Sequence, residues 1–311
     1  MRILQLKGTT LFKSFVPAAA MMLSASAAMA QNFDRPQRVD TTLSLERNGT
    51  VSVSIYSGHV NVVGTSGSSV RIRGTSERDE LDIRDRAGSI SVSLESDRGH
   101  GGRVELEISV PIGTNVILEA FSAPLSVRGV KGEAKLEALS GNLQISDAVG
   151  NVSAEAVSGD IDIGKVDGDV HAESVSGSIA IADVDGSIAT ETVSGRINMV
   201  RAKSKSARAE TVSGSIGYSG SIDPMGNYVF KTHSGRLTLG IPADAGATVS
   251  LQTFSGTVDS EFPVTLESKQ QRLGHESKFE FTVGNGRSRI VLETFSGNII
   301  IQRNTNRDNE E

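Results

Sequence analysis

The residues of this chain that could do chemistry are a recurring glutamate, a recurring serine and five scattered histidines. Glu119, Glu137, Glu155, Glu173, Glu191 and Glu210 each stand three residues ahead of a serine, and Glu293 holds the same place before Ser296. One carboxylate repeated at one position could dock a basic partner or divalent cations. It could equally do no more than keep a β-face wetted and block association with other sheets, and both readings stand. The serines stand mostly in Ser-Gly pairs, at 140, 158, 176, 194, 213, 234, 255 and 296, where turn chemistry accounts for them without a nucleophilic role. No G-x-S-x-G elbow or phosphate-cradling glycine loop occurs. The histidines, at 59, 100, 171, 233 and 275, show no metal-ligand spacing, and with no cysteine there is neither a thiol nucleophile nor a thiolate zinc site. Gly159-Asp160-Ile161-Asp162, with Asp167 and Asp185, supplies carboxylates but not the double glycine of calcium-binding nonapeptide solenoids. No catalytic residue, cofactor or metal site is expected.

The elements that must position these side chains follow from the glycines. They fall at 141, 150, 159, 168, 177, 186 and 195, an unbroken spacing of nine. Each unit is a turn followed by alternating apolar and polar residues, the period of a half-buried strand, and a glycine every nine residues disfavours helix. Ser-Gly opens alternate units and Val-Gly or Asp-Gly the others, so the true repeat is eighteen residues with two strands per coil. A fixed period of that length marks a solenoid whose coils bury their apolar faces only by stacking. The expected fold is all-β, a parallel β-solenoid of about 18–21 residues per coil, flattened into two long sides. Its core columns would be Leu143, Ile161, Ile179, Ile197 and Ile216, then Ile145, Ile163, Ile181 and Met199, facing Val152, Val170 and Ile188 with Ala154 and Ala172. The glutamates alternate with these and therefore face outward. Their spacing of ~4.8 Å costs on the order of 1 kcal/mol per like pair in water before salt screening, which Lys135, His171 and Arg208 in the adjacent outward column would partly offset.

Outside this run the spacing loosens. The interval from Ser255 to Ser296 reads as about two further coils whose shared corner is elaborated by Glu267 to Lys278. Phe121, Phe254 and Phe295, each directly before a corner serine, read as core or corner plugs. Arg38 to Pro111 alternates without the strict period and reads as a β-rich part that merges into the solenoid and caps its open edge. The expected divisions are a signal peptide at 1–30, this β-rich part at 31–112, the repetitive solenoid at 113–302 and a disordered polar tail at 303–311.

The signal rests on the basic residues Arg2, Lys7 and Lys13, an apolar stretch from Phe15 to Ala25, and the small-x-small site Ala28-Met29-Ala30. That stretch falls short of the ~20 residues needed to cross a bilayer, so no transmembrane anchor is expected. Removing residues 1–30 takes away three basic side chains and no acidic one, shifting the formal charge from -6 to -9. An acidic chain is a poor partner for nucleic acid. Export to the periplasm or medium as a soluble protein follows.

The segments VELEISVPIGTNVILEAFSAPLSVRGVKGEAKLEALSGNLQI at 104–145 and RIVLETFSGNIIIQR at 289–303, with the recurring V-S-G-x-I turns between them, resemble the bacterial putative-adhesin family of exported β-solenoids. That family is catalogued as a domain of unknown function and is similar to head-GIN domains. The resemblance implies binding at a surface and supplies no catalytic residue. The combined expectation is a non-catalytic binding or scaffold module of the cell envelope, with an unidentified protein or glycan as partner. The alternatives are a carbohydrate-active β-helix enzyme and a cation-binding solenoid. Against the enzyme stand the absence of tryptophan and a supply of only three tyrosines, Tyr56, Tyr218 and Tyr228, for stacking on sugar.

Overall fold

The computed structural model describes residues 36–77, 80–95, 102–262 and 277–304. The signal segment, most of the charged stretch Glu267 to Lys278 and the tail beyond Asn304 lie outside the described residues. Arg303 itself ends the strand Ile299–Arg303 and does not begin a tail. Within the described residues there is no helix, and 23 strands join in one continuous sheet.

Each regular coil has a leading strand, such as Leu143–Val149, and a trailing strand, such as Val152–Ser158, that ends at the Ser-Gly corner. Like strands stack parallel and in register. Leu143 pairs with Ile161, Ile161 with Ile179, Ile179 with Ile197 and Ile197 with Ile216, and the second column runs Ile145, Ile163, Ile181, Met199. Val152, Val170 and Ile188 align on the trailing side with Ala154 and Ala172 beside them. All of these side chains are at most 2% exposed, so the anticipated core columns are the core.

The leading strand bends once more than the two-sided coil anticipated. Asp147, Lys165, Asp183 and Arg201 have φ of 55°, 55°, 56° and 52°, a left-handed residue in four successive coils. L-residues other than asparagine and aspartate seldom adopt it. The bend shifts the alternation by one, so Leu143 and Ile145 point inward, Asp147 outward and Ala148 inward again. Ala148, Val166 and Val184 thereby form a third buried column. Opposite charges at the bend alternate up the stack: Asp147 lies 3.9 Å from Arg128 and 3.6 Å from Lys165, and Arg201 donates two 2.6 Å hydrogen bonds to Asp183.

At the Ser-Gly corners the backbones nearly touch. A Cβ at Gly177 would lie 2.0 Å from the Gly159 carbonyl oxygen, so close stacking requires glycine here as well as the positive φ found at Gly141 or Gly168. The residue after each glycine ties coil to coil: Asn142 accepts from the Asp160 N–H at 3.1 Å, and Asp160 accepts from Ser178 N–H at 2.8 Å. Asp160 thus has a structural role in the corner.

Where the period lengthens, the core changes. In the long strand Ile216–Ser234, Tyr218 stands over Met199 while Tyr228 and Phe230 stand over Ala207 and Ala209, and all three rings are buried. Tyr228 Oη donates to the Ser204 carbonyl at 2.5 Å and accepts from the Asp223 N–H at 2.8 Å.

Both ends depart from a sequential stack. The strand Thr50–Thr65 forms a complete coil that turns at Ser57-Gly58 and lies between the coil of Ser89–Glu95 and Arg103–Pro111 and the coil of Asn115–Ser122 and Leu125–Arg128. At the other end, Ser288–Ser296 and Ile299–Arg303 are inserted between the coil ending in Leu237–Ile241 and the coil of Ala247–Ser255 and Val258–Ser260. The order of corner serines is therefore 234, 296, 255 and not the sequential order expected. Antiparallel strands then cover the outermost coils, Ser69–Ser76 and Glu80–Arg86 at one end and Ser277–Val283 at the other. These strands, with Gln37–Ser44 antiparallel on Ser69–Ser76, form the described edges of the sheet.

Candidate functional site

The six glutamates align as one ladder on the trailing strands. Glu119 pairs in register with Glu137, and the column continues through Glu155, Glu173, Glu191 and Glu210. Beyond Glu210 come Lys231, Glu293 and Gln252, so Glu293 joins the column but a lysine separates it from the rest. Below Glu119 the position is held by Ser54. Basic side chains partner alternate rungs: Lys135 to Glu137 at 2.5 Å, His171 to Glu173 at 3.0 Å, Arg208 to Glu210 at 2.6 Å and Lys231 to Glu293 at 2.8 Å. The hydrogen bond from Lys135 to Glu137, helped by the charges of Glu137, Glu155 and Glu119, raises the lysine pKa. Glu119, Glu155 and Glu191 make no ion pair among the described residues.

Two residues further along each trailing strand stands an apolar side chain, on the same outward face. The column runs Tyr56, Phe121, Leu139, Val157, Val175, Val193, Val212, His233, Phe295, Phe254. Of the eleven large hydrophobics exposed among the described residues, eight lie on this line, which makes it an organised patch and not scatter. Val157, Val175, Val193 and Val212 are 45–51% exposed. Phe121, Phe254 and Phe295, expected as plugs, are 43–48% exposed. They follow the alternation that turns Glu119, Glu293 and Gln252 outward two residues earlier. The rings stack on one another at the two ends of the line: Tyr56 on Phe121 at 4.6 Å, and His233 on Phe295 and Phe295 on Phe254 at 4.8 Å. Tyr218 and Tyr228 are instead core residues. Burial raises the pKa of both their hydroxyls.

Between the two ladders the intervening residue is small, from Ala120, Ala138 and Ala156 through Ser174 to Thr192, Thr211, Thr232 and Thr294. The result is an open groove of about 1410 Å³, with carboxylates on one wall, aliphatic and aromatic side chains on the other, and a floor of alanine, serine and threonine. Sequence reasoning found one wall and missed the other. The signal was present, because the residue before each corner serine is apolar or aromatic in nine of the ten rungs and histidine in the tenth.

Chemistry other than binding finds little support in this geometry. Ser153 stands one rung from His171, whose Nε2 is 3.0 Å from Glu173, so the residue types of a hydrolytic triad are adjacent. No hydrogen bond joins Ser153 to the ring, and the backbone N–H groups around it are engaged in strands on both sides, leaving no oxyanion donors. The described residues contain no group of three or more acidic or histidine side chains placed to hold a metal ion. No described helix is long and apolar enough to cross a membrane.

Fold and groove together define a parallel β-solenoid whose distinctive surface is a paired acidic and apolar ladder. The chain belongs to the Toastrack DUF4097 family, whose model matches residues 21–222 and again 103–302. Two overlapping matches are what a chain of near-equivalent coils permits. Among solved structures, the chain is similar to a putative cell adhesion protein from Clostridium sporogenes ATCC 15579, with 11% identity, coverage of 86% of this chain and 100% of that one, and a TM-score of 0.27. It is also similar to a putative adhesin from Bacteroides fragilis NCTC 9343, with 8% identity, coverage of 85% and 97%, and a TM-score of 0.38. No curated protein sequence matches the chain.

Proposed function

We propose that this chain is an exported, non-catalytic binding module of the cell envelope that holds its partner along the groove. The observation that carries this reading is the exposed ladder beside the acids, apolar at every rung from Phe121 to Val212. A solvated face needs no apolar residue at rung after rung, and a purely structural coil would gain solubility from a polar residue there. The stacked rows of strands make a stiff frame, so the module would present its ligand surface at a fixed spacing from coil to coil. A glycan-cleaving role is the weaker reading. The ring faces between neighbouring aromatics are already occupied by each other, and the middle of the groove is aliphatic.

Site-specific photo-crosslinking in the native envelope tests the proposal. A photoreactive residue at Val175 should capture a discrete partner, while one at Asp162, outward on the leading strand, should not. Equal capture from both positions, or none from either, would remove the groove as the working surface. Release of reducing sugar from envelope polysaccharide by the purified protein would overturn the non-catalytic part.

A further inference from the structure

The two ladders restrict what can occupy the groove. Phosphate- or carboxylate-bearing ligands would meet carboxylates at six consecutive rungs, Glu119 to Glu210. Neutral sugars seek ring faces, and the rungs from Leu139 to Val212 offer only aliphatic side chains. A ligand that satisfies both walls must be apolar on one side and cationic on the other, which among biological polymers describes a basic amphipathic polypeptide.

The spacing of the rungs then selects its conformation. Stacked coils repeat at ~4.8 Å. An α-helix returns the same face every ~5.4 Å, so it slips by ~0.6 Å per turn and stays within half a rung for about four turns. An extended strand returns the same face every ~6.6–6.8 Å and is out of step by about 2 Å at the first repeat. The charges add a second period. Glu137, Glu173 and Glu210 already have Lys135, His171 and Arg208 as partners, whereas Glu119, Glu155 and Glu191 do not. The unpaired acids therefore recur at every second rung, ~9.6 Å apart. Residues seven apart on a helix are separated by ~10.5 Å.

Resting on the groove reading above, we propose that the site seats a basic amphipathic α-helix of a partner protein, about four turns long. Its apolar stripe lies on Val157, Val175, Val193 and Val212, and lysines or arginines seven residues apart face Glu155 and Glu191. The helix runs along the stacking axis, crossing the strands.

Two synthetic peptides of identical leucine and lysine composition separate this from the broader reading. One carries the leucines at helical spacing with lysines seven apart, and the other alternates leucine and lysine. Each is titrated into the purified protein by fluorescence anisotropy, with circular dichroism following helix formation. The helical-pattern peptide should bind and gain helix. Val175→Glu should weaken it at least tenfold and Glu155→Gln with Glu191→Gln severalfold, while Asp162→Asn changes nothing. Val175→Thr, which keeps the β-branched shape, provides a milder variant should Val175→Glu fail to fold. Tighter binding of the alternating peptide, still lost in the Val175 variants, would overturn the helix and leave the groove standing. Binding of neither peptide at millimolar concentration would overturn the helix, and the groove would then be judged by the crosslinking result. Binding that is insensitive to Val175 but lost in Asp162→Asn would overturn both.

Discussion

Gly177 and Gly164 sit in neighbouring coils, yet substitution by alanine should move stability in opposite directions. At Gly177 the new methyl group would meet the Gly159 carbonyl oxygen at 2.0 Å, and at Gly164 nothing lies nearer than the Ala182 oxygen at 4.0 Å. Gly177→Ala should cost about 1–3 kcal/mol or more from overpacking. Gly164→Ala, in a column otherwise held by Ser146 and Ala182, should be stabilising by about 0.4–1 kcal/mol through the unfolded chain. Urea midpoints of the two variants check this. A second residue-scale expectation concerns Asp183, whose carboxyl pKa is lowered by the two hydrogen bonds from Arg201. A lowered folded pKa means that the stabilisation is present above the ordinary carboxylate pKa and is lost as pH falls through the folded value. The Asp183 side chain is 39% exposed, so solvent screening limits Asp183→Asn to about 0.2–1 kcal/mol at neutral pH. The difference from the parent chain should vanish in acid, as read by urea unfolding across pH. At this scale the glutamate ladder was legible because one residue type repeats at one position. The apolar ladder was hidden because Phe, Leu, Val and Tyr share no identity, and an apolar residue beside a corner invites a core assignment. Applying the same parity that turned Glu155 outward would have turned Val157 outward too.

The coils themselves announce their strands, but not the order in which the end coils stack. In a sequential solenoid the strand Ala247–Ser255 would rest on Ile216–Ser234, whereas here Ser288–Ser296 lies between them. A polar substitution at Leu292, which is 1% exposed and paired in register with Phe230 and Leu251, should therefore unfasten everything beyond it. Hydrogen exchange of Leu292→Asn should show protection lost together in 247–260, 277–283 and 288–303, with the coils at 134–194 unchanged. Retained protection in 247–255 would contradict the inserted order. Register between distant strands is set by tertiary pairing, and no local pattern in 247–303 records it. The lengthened coil makes a further element-scale expectation. Tyr228→Phe deletes a hydroxyl that serves the Ser204 carbonyl and the Asp223 N–H, and should cost about 1–3 kcal/mol by leaving the buried Ser204 carbonyl without that donor. The left-handed bend at Asp147, Lys165, Asp183 and Arg201 was also illegible, because Lys165 and Arg201 are not types that favour that region and aspartate alone does not announce it.

Taken as a whole molecule, the chain carries a long line of water-exposed apolar side chains that no other described residue covers, with antiparallel strands added at both ends of the stack. The eighteen-residue period was enough to read the solenoid, because stacking identical coils is the way such a repeat buries its core. What the groove holds is a property of side chains that neither the period nor the core records. The chain has no cysteine, so a single introduced thiol reports on one position without background. Val175→Cys and Asp162→Cys, labelled with a maleimide in the intact envelope and again after purification, test the central claim most directly. The account predicts that Cys at position 175 is shielded in the envelope and reactive once purified, while position 162 labels equally in both. Equal labelling of position 175 in the two settings would contradict it.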